Sequence, residues 1–137
     1  MPAPFSLRVV TQDRTVFSGQ VTSLVAPGVE GYLGVMAHHA PMLTGLAPGE
    51  LHFVITEGDT KAYAISGGFL QVAGNEAVVL VDSAESPEEI DIERARQAVA
   101  RAEQRLHAPP TGTDVDRARA ALMRALNRLR VAERYRH

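Results

Sequence analysis

The stretch Glu85-Ser86-Pro87-Glu88-Glu89-Ile90-Asp91-Ile92-Glu93-Arg94-Ala95 separates two kinds of sequence. Upstream of it, apolar and polar residues alternate between frequent glycines, the period-two pattern of half-buried strands. Downstream, apolar residues recur every three and four positions, the pattern of a helix with one buried stripe. The joint itself has the form of a helix start: a serine, a proline in the first turn and a glutamate three residues after the serine, with Asp91 as a second capping candidate. The fold predicted is β + α. An N-terminal antiparallel β-sandwich of about ten short strands occupies residues 1–86, and a C-terminal antiparallel two-helix hairpin occupies residues 87–137.

Charge divides at the same place. Residues 1–90 carry three bases (Arg8, Arg14, Lys61) against ten acids, and residues 91–137 carry eleven arginines against six acids, so the total of −2 conceals halves of −7 and +5. Such a basic half pairs with its acidic neighbour, has an anionic partner of its own, or is a solvated helical face. Composition closes off other classes. With no cysteine there is neither a disulfide nor a thiolate metal site. No run approaches the ~18 apolar residues of a membrane span, so the chain is expected to be soluble. Met1-Pro2-Ala3-Pro4-Phe5 lacks the basic and apolar regions of a secretion signal, so export is not expected. Aromatics are 5% with no tryptophan, which argues against a platform for stacking bases.

Along the first half, strands are predicted at Phe5 to Val10, Thr15 to Phe17 and Val21 to Ala26, with Gly19 as a break between the last two. The segment from Ala26 to Pro41 holds Gly or Pro at Pro27, Gly28, Gly31 and Gly34 and reads as tight turns at one end of a sheet. Further strands are predicted at Glu50 to Thr56, Thr60 to Ile65, Phe69 to Val72 and Glu76 to Val81, with hairpin turns at Glu57-Gly58-Asp59 and Gly74-Asn75. In the second half, Ile92, Ala95, Val99, Ala102 and Leu106 form one seam, and Val115, Ala118, Leu122, Ala125, Leu129 and Ala132 form another. The segment His107 to Thr113, with Pro109 and Pro110, ends the first helix. Five of these eleven seam residues are alanine, so the hairpin gains little from burial while each ordered residue costs about 1–2 kcal/mol of backbone entropy. A metastable element that leans on docking, a ligand or a partner is the expectation.

Several constellations invite a chemical reading. Asp91, Arg94, Ala95, Arg101 and Arg105 fall on one side of the first helix, and Arg124 and Arg128 on one side of the second. Packed together they can converge guanidinium groups on a triphosphate, whose oxygens match arginine's planar donors, or simply make helix-surface pairs. Arginine-rich helices also suit a nucleic-acid backbone, although the acidic first half would repel one. No GxxxxGK loop surrounds the single lysine, Lys61, so a bound nucleotide is an effector rather than a substrate. His38-His39 lacks a third ligand or carboxylate at metal spacing and reads as a structural turn, and Ser66-Gly67-Gly68 lacks the G-x-S-x-G form of a nucleophile elbow.

The run Gly31-Tyr32-Leu33-Gly34-Val35-Met36-Ala37-His38-His39-Ala40-Pro41-Met42-Leu43-Thr44, followed by Pro48-Gly49 and Ser66-Gly67-Gly68-Phe69-Leu70, resembles the β-sandwich of the epsilon subunit of F-type ATP synthase. Arg128-Leu129-Arg130-Val131-Ala132-Glu133 resembles the C-terminal helices of the same family, so the match runs end to end. The resemblance implies a non-catalytic rotor subunit on the cytoplasmic face of a bacterial membrane, with the gamma subunit, the ring of c subunits and the alpha/beta catalytic head as partners. It assigns Tyr32, His38, His39, Ala40 and Pro41 to contacts with the c-ring or gamma. Many members carry an acidic residue where Tyr32 stands, which points here to packing rather than charge. The family's ATP motif stands intact as Ile90-Asp91-Ile92-Glu93-Arg94-Ala95. By resemblance, ATP as a regulatory ligand, with no cofactor required, would meet Glu85, Asp91, Arg94, Ala95, Arg101, Arg124 and Arg128. The hairpin would then fold down with ATP or extend to inhibit hydrolysis. Two alternatives stand beside this reading: an interaction module for nucleic acid or another anion, and a sandwich hydrolase using His39.

Overall fold

A computed structural model describes residues 2–109, 112 and 114–135. The chain divides into two compact units, Met1–Ala84 and Glu85–His137.

The first unit is built from β1 (Phe5–Val10), β2 (Thr15–Gly28), β3 (Gly31–Val35), β4 (Met42–Leu46), β5 (Gly49–Ile55), β6 (Thr60–Ile65), β7 (Gly68–Ala73) and β8 (Glu76–Val81), and a two-residue strand β9 (Ala84–Glu85) ends at the division. Neighbouring strands run in the order β1-β8-β7-β4-β2-β5-β6. β1 pairs with β8 in parallel and with β2 antiparallel, so the sheet folds over on itself into two layers. Phe5, Leu7 and Val9 of β1, Val21 and Leu24 of β2, Leu51 and Phe53 of β5, and Leu70, Val72, Ala77 and Val79 of β7 and β8 fill the space between the layers. In β1, β5, β7 and β8 these are alternate residues, as a half-buried pleat requires, and in β2 a register shift separates Val21 from Leu24.

Two predictions in this half are corrected. Gly19 does not break the chain: β2 runs unbroken for fourteen residues. Gly19 pairs with Leu7, and a Cβ there would stand 3.1 Å from the Phe17 ring, so the glycine makes room for an aromatic side chain. The irregularity in β2 is instead a register shift against β5 between Val21 and Ser23. The segment Ala26 to Pro41 is not all turn: Gly28 ends β2, and Gly31 and Gly34 sit in β3, which pairs with β2 from Leu24↔Val35 to Gly28↔Gly31. The Gly74-Asn75 turn is found as expected, with Ala73 paired to Glu76 and positive φ at both turn residues. Gly68 is required by its φ of 150° and by close approach, since a Cβ would collide with the Leu80 carbonyl.

The second unit opens with a 3₁₀ turn, Pro87–Glu89, in which the Glu89 carboxylate accepts the Ser86 N–H at 3.0 Å. Ile90 is extended and fully buried, which takes the chain out of the helical path. The long helix α1 (Ile92–His107) begins only after Asp91, whose carboxylate accepts the Arg94 N–H at 3.1 Å. The stronger start signal at Ser86 therefore opens a single turn, and the second candidate caps the helix. α1 ends at His107, with the Ala108 N–H donating to Gln104 O. Pro110, Thr111 and Thr113 of the breaking segment lie outside the described residues. Asp114 caps α2 (Val115–Tyr135) through the Arg117 N–H at 3.1 Å. Ala95, Val99 and Ala102 of α1 and Ala118, Ala125 and Ala132 of α2 are buried along the two seams. Ile92, Leu106, Leu122 and Leu129 of the predicted seams are half-buried, and Val115, one helical position past the cap, is 39% exposed. α2 also packs against the 3₁₀ turn, and it buries Asn127 and Val131 outside the predicted seam.

Candidate functional site

On the outer surface of β4, β7, β8 and β1, side chains expected to meet water are apolar. Leu43 is 72% exposed, Phe69 58% and Leu80 48%. The register sets Gly45, Phe69, Leu80 and Val10 side by side across the four strands, with Leu43, Gln71, Val78 and Arg8 in the next row. Val29 is 64% exposed, donates its N–H to Gly45 O at 3.0 Å and extends the apolar row beyond β4. Val10, Val29, Gly45, Phe69 and Leu80 line an open groove of about 620 Å³. The signal for this face was present in β8, where Ala77-Val78-Val79-Leu80-Val81 is apolar without alternation, the mark of a strand apolar on both faces.

At one end of the sandwich, the Met36–Pro41 turn is held from several sides. His38 has φ 64° and donates its N–H to the Asn75 side-chain oxygen at 2.8 Å. The His39 N–H reaches Met36 O at 3.3 Å, and its ring Nδ1 lies 2.7 Å from Ala40 O. Ala40 and Pro41 are exposed. Tyr32, on β3, is 59% exposed, yet its hydroxyl accepts the Glu50 N–H at 3.0 Å. Glu50 is buried and meets His52 Nδ1 at 2.9 Å. The turn is thus a fixed tip, and the Tyr32 ring is anchored through its hydroxyl.

In the second unit the sequence candidates take distinct positions. Glu85 and Arg128 pair side-on, with Oε1 2.7 Å from Nε and Oε2 accepting from Nη2 at 3.0 Å. Asp91 caps α1 and Ala95 is fully buried in the seam. Arg94, Arg101 and Arg124 are exposed, and among the described residues no ion pair or side-chain hydrogen bond engages them. Each stands immediately before a buried alanine: Arg94 before Ala95, Arg101 before Ala102, Arg124 before Ala125. On two antiparallel helices that meet along these seams, residues preceding the seam fall on the same flank. Arg94, Arg101, Arg124 and Arg128 therefore share one side of the hairpin. Three open guanidinium groups and one already oriented by a carboxylate make a surface for a multiply charged anion.

Residues 4–87 match the family model described as ATP synthase, Delta/Epsilon chain, beta-sandwich domain, and residues 88–133 match the long alpha-helix domain of the same chain. The chain belongs to the ATP synthase delta/epsilon family. Within that family it is 49% identical to the ATP synthase epsilon chain of Carboxydothermus hydrogenoformans over 106 residues, 77% of this chain and 78% of the relative. The epsilon chain of Moorella thermoacetica is 45% identical over 110 residues, 80% of this chain and 82% of the relative. Among solved structures, a chain of the Euglena gracilis mitochondrial ATP synthase (OSCP/F1/c-ring, rotational state 1) superposes with a TM-score of 0.80 at 29% identity, covering 90% of this chain and 78% of that one. A chain of the Tetrahymena thermophila central stalk and c-ring shares the fold, with a TM-score of 0.59 at 17% identity and coverage of 97% and 96%. The delta/epsilon fold, a sandwich followed by two helices, is the β + α organisation expected above.

Proposed function

We propose that this chain is a non-catalytic rotor subunit of a proton-translocating ATP synthase, held at the cytoplasmic face of the membrane by the complex. In this reading the outer sheet face around Phe69 and Leu80 rests on the gamma subunit, and Tyr32 and the His38–Pro41 turn, which lie at opposite ends of β3, both meet the ring of c subunits. The exposed apolar face carries the proposal: soluble proteins that work alone rarely display so continuous a patch, and a permanent partner accounts for it. Leu43, Phe69, Leu80 and Val29 contribute apolar area on a rigid sheet, so little ordering entropy opposes docking.

The hairpin is the regulatory part. ATP bound along the flank of Arg94, Arg101, Arg124 and Arg128 bridges both helices, so it binds the folded hairpin and not the parted one. A ligand of that kind stabilises the folded form by about 1.4 kcal/mol for each tenfold excess over its dissociation constant. Against an alanine seam, that shift moves the population between a folded hairpin and one free to reach the catalytic head and restrain hydrolysis. Asp91 and Ala95 act here through the helix rather than through the ligand, by starting α1 and letting α2 come close. Titration of the chain with ATP, followed by amide shifts, tests the site. Shifts should concentrate at Arg94, Arg101 and Arg124, and an unmoved spectrum at millimolar ATP would remove the nucleotide from the account.

A further inference from the structure

His38 and Asn75 are the non-glycine residues with positive φ among those described, at 64° and 59°, and they are joined by a hydrogen bond. The left-handed region is costly for any residue with a Cβ, and a turn that places histidine there needs an outside restraint. Asn75 supplies it. Its Oδ1 accepts the His38 N–H at 2.8 Å, its Nδ2 donates to Pro4 O at 3.2 Å, and its backbone carbonyl accepts the Ser6 N–H at 3.2 Å. One half-buried side chain in the β7–β8 hairpin turn thereby ties the entry to β1 and the Met36–Pro41 turn, 37 residues away in sequence, to a single point. Both polar ends of the amide are used, which fixes its orientation and excludes a residue that only donates or only accepts.

We propose that Asn75 is a positioning residue for the tip of the sandwich: by holding His38 in the left-handed conformation, it presents His39, Ala40 and Pro41 to the rotor partner as a preformed surface. The proposal rests on the reading that this tip meets the ring of c subunits. Its energetic content is preorganisation, because a turn already in its docked shape loses no conformational freedom on contact. Asparagine is suited to the task because it tolerates positive φ better than other side-chain-bearing residues and carries an acceptor at the reach of one turn.

The test compares N75G, N75D and A40E in the full chain and in ATP synthase assembled with it. N75G keeps the turn's backbone conformation and removes only the carboxamide, whereas N75D keeps an acceptor for His38. Hydrogen exchange at the His38 amide should accelerate about two- to tenfold in N75G, the worth of one hydrogen bond, and much less in N75D. The ratio of ATP-driven proton pumping to ATP hydrolysis should fall in the same order, while N75D, which keeps the His38 acceptor and loses the donor to Pro4 O, should lower stability by no more than the worth of one hydrogen bond. Unchanged exchange in N75G, or a pumping ratio that N75G leaves intact while A40E lowers it, would overturn the positioning role and leave the contact standing. A pumping ratio indifferent to A40E as well would show that the tip is not a contact, and both readings would fall together.

Discussion

The Glu85 carboxylate and the Arg128 guanidinium meet side-on through two contacts of 2.7 and 3.0 Å, joining the residue that opens the second unit to the middle of its last helix. Both side chains are about one-third exposed, so the pair is screened less than a surface bridge but is not dry. Glu85→Ala should destabilise the second unit by about 1 kcal/mol. Amide exchange along α2 should accelerate while that of the sandwich core does not. Uniform exchange in both units would contradict a local role for the pair.

Arg101→Ala and Arg124→Ala should each weaken ATP binding by roughly ten- to a hundredfold, since a hydrogen bond to a charged group contributes about 1.5–3 kcal/mol. Because both residues are exposed and, among the described residues, unengaged, the melting temperature without ATP should hardly move. Calorimetric titration of the three proteins reads both quantities. Equal affinities would take the arginine flank out of the nucleotide reading.

Asp91→Ala separates the two roles assigned to that residue. Loss of the cap on the Arg94 N–H should cost about 1 kcal/mol of helix stability whether or not nucleotide is present. If ATP affinity falls by far more than this cost explains, Asp91 touches the ligand directly.

Ala125 is 5% exposed in the α2 seam, and glutamate there would put a charge between helices that meet over methyl groups. Ala125→Glu should destabilise the hairpin by roughly 2–4 kcal/mol, enough to part it. Limited proteolysis should then cut within the second unit and spare the first. Resistance equal to the parent's would show that the seam is not what holds the helices.

Leu80→Asp probes the outer sheet face. Leu80 is 48% exposed, so the isolated chain should fold with nearly unchanged stability, while an apolar anchor of an interface typically costs 2 kcal/mol or more when lost. Gel filtration with the purified partner subcomplex is the measurement. Co-elution at parental strength would move the contact elsewhere on the sandwich.

Legibility followed how local each determinant is. The seams at Ala95, Val99 and Ala102 and at Ala118, Ala125 and Ala132 were readable because helical period is a local signal, and the Gly74-Asn75 turn because positive φ selects those residues. Gly19 misled, since its reason is the Phe17 ring rather than its own backbone. β3 was hidden by glycines that an edge strand tolerates, and the start of α1 by a buried Ile90 that overrides a strong serine signal. Of the candidate site, residue types and spacing were readable. The pairing of Arg128 with Glu85, the anchoring of Tyr32 by the Glu50 N–H and the clasp on His38 depend on residues 18 to 43 positions apart, which no local pattern displays.

The unbroken fourteen residues of β2 touch β1, β3, β4 and β5 in turn. At about 3.3 Å per residue, the contour of that strand is some 45 Å, with a register shift between Val21 and Ser23 along it, and both layers share it. A twisting load applied at one rim of the sandwich is carried to the other by backbone bonds rather than by the weaker ladders between strands. In the rotor role proposed above, torsional stiffness of this kind is what a part turned at one end and gripped at the other requires.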